Sequence, residues 1–248
     1  MDTHEPPELI TAVHEGDEDT VVRLLRSGAS PESADAEGQT ALYLASVGDA
    51  PGIVRLLLAA GADPDRLSAD ADAPLCGAAC GGHTEVVQAL LAAGATADLE
   101  EEYGFRALMW AVQLGHADIV RALLAAGADP DLPGPGGRPP LVAAARRGSP
   151  GCVQALLTHG ARARREALAE ARRWLRLDVA AELRAGLEAT HGPGHAYDTR
   201  RFEQEPGTVT VEVTLLRDGR PAAGNDQQTG HAVIVGLLVA GGPGTTEG

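Results

Sequence analysis

The dipeptide Gly-Ala returns at Gly28-Ala29, Gly61-Ala62, Gly94-Ala95, Gly127-Ala128 and Gly160-Ala161, five occurrences at a constant step of 33 residues. A step held that strictly means that one supersecondary unit is copied along the chain. Two leucines stand three and four places before each glycine (Leu24-Leu25, Leu57-Leu58, Leu90-Leu91, Leu123-Leu124, Leu156-Leu157), and a valine stands seven before (Val21, Val54, Val87, Val120, Val153). That spacing lines one face of a helix. A second leucine set, Leu9, Leu42, Leu75, Leu108 and Leu141, keeps the same step, each with an alanine three places on. Each period therefore holds two short helices. The Gly-Ala glycines end the second helix, and Gly16, Gly48, Gly82, Gly115 and Gly148 end the first by adopting the left-handed conformation. Thr40 and Pro74 stand where a cap and a first-turn proline belong.

These residues resemble the ankyrin repeat, a 33-residue unit of a turn and two helices with a T-P-L-H-x-A signature. The signature reads Thr40-Ala41-Leu42-Tyr43-Leu44-Ala45, Ala73-Pro74-Leu75-Cys76-Gly77-Ala78, Arg106-Ala107-Leu108-Met109-Trp110-Ala111 and Pro139-Pro140-Leu141-Val142-Ala143-Ala144. Its histidine is missing each time, but the run Gly-His-x-x-[Ile/Val]-Val-x-x-Leu-Leu-x-x-Gly-Ala is nearly intact at Gly82 to Ala95 and at Gly115 to Ala128. The resemblance implies an all-α solenoid of stacked helix-turn-helix units with loop or β-hairpin fingers. Small residues suit such a stack, whose core is a strip between neighbours.

The array is expected over residues 1–189, with repeats at 5–30, 35–63, 68–96, 101–129 and 134–162 and a degenerate cap at 164–189. In the cap Leu168, Ala171, Val179, Leu183 and Leu187 keep a helix-pair pattern between charged residues, as the polar end of a stack requires. Residues 190–207 read as a linker from their Gly, Pro and charge content. The last stretch, 208–248, is expected to be a small, poorly defined tail. There Val209, Val211, Val213 and Leu215 alternate with polar residues as in a half-buried strand before the turn residues Asp218-Gly219. The run from Gly230 to Leu238 copies the start of a second helix and reads as an orphan helix or the first fragment of a truncated second array.

Charge and composition exclude several classes. The net charge is −15, lysine is absent, and 20 acids face 4 arginines before Arg106, which disfavours nucleic acid and anionic membranes. Three cysteines are too few for a disulfide framework and fit a reducing compartment. Met1 to Leu9 is polar and acidic, without the basic and apolar run expected of an export signal, and the apolar run Ala232 to Ala240 is shorter than the ~20 residues that cross a membrane. The expected location is cytoplasmic, and the bias toward Arg, Ala and Gly fits a GC-rich bacterium.

No catalytic, metal or cofactor site is legible. His83 and His116 lie one repeat apart, about 8–10 Å in a helix stack, too far to share a zinc ion, and read as loop-capping residues. Cys76 replaces the signature histidine and reads as core filling, with Cys80 near the turn. The Asp63-Pro64-Asp65 and Asp129-Pro130-Asp131 runs read as turns, since they lack the ligand spacing of a calcium loop. Nucleotide and nucleophile motifs are absent.

The resemblance places the binding groove on the fingers and on first-helix positions two, five and six past each leucine, which include Leu44, Val47, Gly77, Cys80, Gly81, Trp110, Gln113, Arg146 and Arg147. The fourth repeat concentrates Glu101, Glu102, Tyr103, Phe105 and Trp110 in a chain with seven aromatic residues, and hot spots favour such side chains. Asp35, Glu37, Asp70 and Asp72 form an acidic edge, and Arg138, Arg146 and Arg147 a basic one. The expected function is that of a non-enzymatic, monomeric scaffold or adaptor that binds a partner protein along this groove. The alternative is an inhibitor or immunity-type protein that masks a basic enzyme or toxin.

Overall fold

The computed structural model describes residues 7–205 and 208–240. The chain divides into two compact units, Met1–Gly137 and Arg138–Gly248. The first holds four helix pairs: α1 (Glu8–Glu15) with α2 (Glu18–Arg26), α3 (Ala41–Val47) with α4 (Pro51–Ala59), α5 (Pro74–Gly81) with α6 (Thr84–Ala92), and α7 (Ala107–Leu114) with α8 (Ala117–Ala125). Helices this short do not persist alone in water. Each first helix packs on the first helix of the next pair, and each second helix on the next second helix. Leu42, Leu75 and Leu108 are buried between them, as are Val54, Val87 and Val120, and each side chain so buried stabilises the stack by ~1.5–3 kcal/mol.

The loops repeat their chemistry as well. The Thr40 hydroxyl accepts the Tyr43 amide at 3.1 Å and caps α3. The Gly-Ala glycines have φ from 87° to 97°, a region from which a Cβ is largely excluded. Gly48 departs from the expectation, with φ −83°; the left-handed residue is its successor Asp49, φ 51°. A carboxylate four places after each of three Gly-Ala glycines receives an amide of the next loop: Glu32 from Asp63 at 2.6 Å, Asp65 from Thr96 at 2.8 Å and Asp98 from Asp129 at 3.0 Å. Asp63 and Asp129 in turn accept the amides of Asp65 and Asp131, so these acids are turn residues, and part of the chain's acidity is structural.

The second unit begins with α9 (Pro140–Arg147) and α10 (Pro150–Thr158), followed by α11 (Arg164–Trp174) and α12 (Val179–His191). Leu141 is fully buried. An antiparallel meander of β1 (Ala196–Glu205), β2 (Thr208–Arg217) and β3 (Arg220–Gln228) comes next, in the order β1-β2-β3, and α13 (His231–Ala240) ends the described chain. Asp218 and Gly219, φ 51° and 74°, make the tight β2–β3 turn, whose two positive angles match strand twist.

Three expectations are corrected here. The fold is not purely all-α, because a three-stranded sheet stands in the second unit. Residues 190–207, expected as a linker, carry β1, whose backbone pairs with β2 from Ala196↔Leu216 onward. The cap is not formed by α11 with α12. Leu187 of α12, with Ala180 and Leu183, instead covers Val213 and Leu215 of the sheet.

The partner of α11 is α13, which packs on α11 and on α10, as a second helix of the array packs on its own first helix and on the preceding second helix. The loop chemistry agrees in register. His83 Nε2 lies 3.2 Å from the carbonyl of Val47, five places past Leu42; His231 Nε2 lies 3.3 Å from the carbonyl of Arg146, five places past Leu141. The Gly230 amide donates to the Gly148 carbonyl at 3.0 Å, His231 stacks on Trp174, and Arg164 donates to the Leu238 carbonyl at 3.3 Å. A sixth helix pair is thus assembled from α11 and α13, with α12 and the sheet inserted between its halves.

Ile234 is fully buried in this pair and Val239 is 53% exposed. Ile234→Ala is expected to cost about 2–4 kcal/mol and Val239→Ala less than about 0.5 kcal/mol in chemical denaturation. Equal, small effects would mean that α13 is not part of the packed pair.

Candidate functional site

Residues from three first helices meet in one pocket of the first unit, about 280 Å³ in volume, lined by Tyr43 and Val47 of α3, Cys76, Gly77, Cys80 and Gly81 of α5, Trp110 of α7, and Asp72 and Glu101 from the loops before α5 and α7. Stacking at a fixed step brings them together, since residues about 33 apart become neighbours. Gly77 makes the approach possible. A Cβ there would meet Val47 Cγ1 at 2.7 Å and Tyr43 Cε2 at 3.1 Å. A mid-helix glycine costs about 1 kcal/mol relative to alanine; here it clears the space over which Tyr43 lies.

Glu101 organises the far wall. One carboxylate oxygen accepts the Ala73 amide at 2.8 Å and the other accepts the Trp110 indole N–H at 3.0 Å. The Glu101 amide donates to the Phe105 carbonyl at 2.8 Å, closing the finger, and the Phe105 ring stacks on Trp110 with centroids 4.4 Å apart. The indole is therefore held by a hydrogen bond and by a stacked ring. Burial, then the charges of Asp72 and Glu101, pushes the Tyr43 hydroxyl up to about 12. Burial first and Glu101 second also raise the thiols of Cys76 and Cys80. At neutral pH the pocket offers a phenol, protonated thiols, an indole and carboxylates; it offers no activated nucleophile.

Of the residues expected to meet a partner, Asp72, Glu101, Phe105 and Trp110 belong to this cluster. Asp70, Glu102 and Gln113 are exposed and do not line the pocket. The side chain of Tyr103 lies outside the described residues. Arg138, Arg146 and Arg147 belong to the second unit. There the end of β3 engages α9: Arg147 pairs with the Asp226 carboxylate at 2.5 Å and donates to its carbonyl at 2.8 Å. Gln227 donates to the Arg146 carbonyl at 2.6 Å, and the Arg146 guanidinium stands 5.8 Å from the Trp174 ring centre. A segment of the chain itself covers positions expected to face a partner. The groove positions expected from sequence do not include Tyr43, which stands one place past its leucine rather than two; the available signal is a glycine, Gly77, at the facing position of the next repeat.

A family model for ankyrin repeats, three copies, matches residues 48–134. These residues include α4 to α8 and two of the three walls of the pocket. Residues 48–134 belong to the ankyrin repeat family. No curated protein matches it. Ankyrin repeats are generally modules for protein–protein interaction and typically not catalytic. Among the described residues, no helix is long and apolar enough to cross a membrane.

Because the folded protein holds the Tyr43 proton more tightly than the unfolded chain, stability is expected to fall as pH rises from about 10, the ordinary tyrosine value, toward about 12. Tyr43→Phe is expected to flatten that fall in pH-dependent unfolding, and Asp72→Asn to move the ionisation lower in ultraviolet titration. An unchanged profile in both variants would contradict the described environment of Tyr43.

Proposed function

We propose that the protein is a non-catalytic interaction scaffold or adaptor that holds a partner segment against the first-helix side of α3, α5 and α7. The observation that carries this reading is the pocket in which Tyr43, Cys80 and Trp110, from three successive repeats, converge with two carboxylates. Tyr and Trp provide large contact area at small entropic cost, and such residues dominate binding energy when water is excluded around them. The family supports an interaction role, and the raised thiols support a binding site over a reactive one. A cytoplasmic location is consistent with three cysteines present as thiols, two of them buried.

The charge distribution favours one variant of the reading. The first unit has 23 carboxylates against 6 arginines, net −17, and the second 12 against 14, net +2. A surface of that sign steers a basic partner and speeds its association. An inhibitor that covers a basic enzyme would use the same side.

The test is hydrogen exchange of the full chain with peptides selected from a random display library. Protection is expected on α3, α5 and α7, with α4, α6 and α8 unchanged and binding lost in Trp110→Ala. Protection confined to the second helices, or selected binding that ignores Trp110, would overturn the proposal.

A further inference from the structure

The walls of the pocket share one electrostatic character. Tyr43 and Trp110 present aromatic surface, Val47 and Gly77 apolar surface, and Asp72 and Glu101 bring negative charge; neither an arginine nor a histidine lines it. Resting on the interaction reading above, we infer that this pocket receives the cationic side chain, arginine or lysine, of a basic segment of the partner.

Three features select a cation. The ring quadrupoles of Trp and Tyr attract a positive group placed over the ring face. Glu101 is fixed through both oxygens by neutral donors, the Ala73 amide and the Trp110 indole. Its charge is thus held in place by neutral groups, and each oxygen keeps accepting capacity. The surrounding unit is strongly acidic, net −17, so an incoming basic segment gains long-range attraction before it makes contact. An anionic side chain would meet Asp72 and Glu101 with no cation lining the pocket and would lose its hydration as well. The raised Tyr43 hydroxyl reports the same negative surroundings, since Asp72 and Glu101 follow burial among its causes.

Glu32, Asp65 and Asp98 also accept backbone amides, but they do so in the loop ladder, and none of them lines the pocket of Tyr43 and Trp110. Only the combination of fixed carboxylate, aromatic surface and an open volume the width of a side chain provides a seat for a cationic head on an aliphatic stem. Arginine fits it by stacking and by forked hydrogen bonding, lysine as a point charge.

The experiment uses the full chain and four labelled peptides, alternating Gly with Arg, Lys, Glu or Leu, followed by fluorescence anisotropy. The Arg and Lys peptides are expected to bind and the Glu peptide not to. Trp110→Ala is expected to weaken the Arg peptide about tenfold, the scale of a desolvated cation–π contact. Asp72→Asn, which preserves shape, is expected to weaken it about threefold or more, and Asp118→Asn, the same charge loss at an exposed position of α8, less than about twofold. Equal losses in the two Asp variants, or equal binding of the Glu peptide, would overturn the inference in favour of diffuse attraction. Trp110-dependent binding of the Leu peptide in preference to the Arg peptide would overturn the cationic class and leave the interaction site standing. If no peptide binds in a Trp110-dependent way, both readings fall.

Discussion

A helix pair of this chain cannot bury its own apolar face; it acquires a core only from the pair beside it. That dependence orders everything else in the first unit. Leu42, Leu75 and Leu108, with the alanines that follow them, are buried because the period returns them to the same place on successive first helices. A solenoid of this kind is stabilised by nearest-neighbour interfaces, so a side chain displaced by one repeat in sequence is displaced by one helix spacing in space. Small residues at the interfaces keep the helices close, and the opposite side of each first helix is left free of packing duty.

The candidate site is a product of that freedom. Its elements are separated by about one period: an aromatic residue in α3, a glycine and a cysteine in α5, a tryptophan in α7. No single repeat contains the site, and no repeat-level motif describes it. Gly77 weakens its own helix and Glu101 gives both oxygens to neighbouring donors, yet together they set Tyr43 and Trp110 in place. In the second unit the same side of α9 is met by the chain itself through Asp226 and Gln227. The inserted α12 and sheet therefore do two things: they separate α11 from α13, which completes its pair, and they deliver a polar segment to α9.

The period made the helices and their buried faces legible, because each inference was repeated in phase and a chance match in one unit was checked by the next. The Asp218-Gly219 turn is legible for a local reason, since Asp and Gly are the residue types that accept the two positive φ angles it adopts. What failed was non-local. The second-helix likeness of the run after Gly230 was visible, but its place beside α11 depends on contacts reaching across an insertion, such as His231 with Trp174 and with the Arg146 carbonyl. Residues 190–207 read as a linker from their Gly, Pro and charge content; β1 within them is a strand through pairing with β2. Arg147 was assigned to a partner since nothing near it in sequence discloses Asp226, 79 residues away. Within the site, Glu101, Phe105 and Trp110 were found from aromatic density, while Tyr43 became visible only when the fit of one repeat against the next was known.

The candidate site depends most on the convergence of α5 and α7 at the pocket, and the distance between Cys80 and Trp110 reads it directly. Cys80 is exposed while Cys76 and Cys152 are buried, so a thiol-reactive nitroxide applied at alkaline pH labels Cys80 selectively. A nitroxide quenches tryptophan emission only at close range, and the chain has a second tryptophan, Trp174, as internal reference. Labelling is predicted to reduce the emission of the native protein to that of the unlabelled Trp110→Phe variant. Emission of Trp110 that survives complete labelling of Cys80 would contradict the stacking on which the site is built.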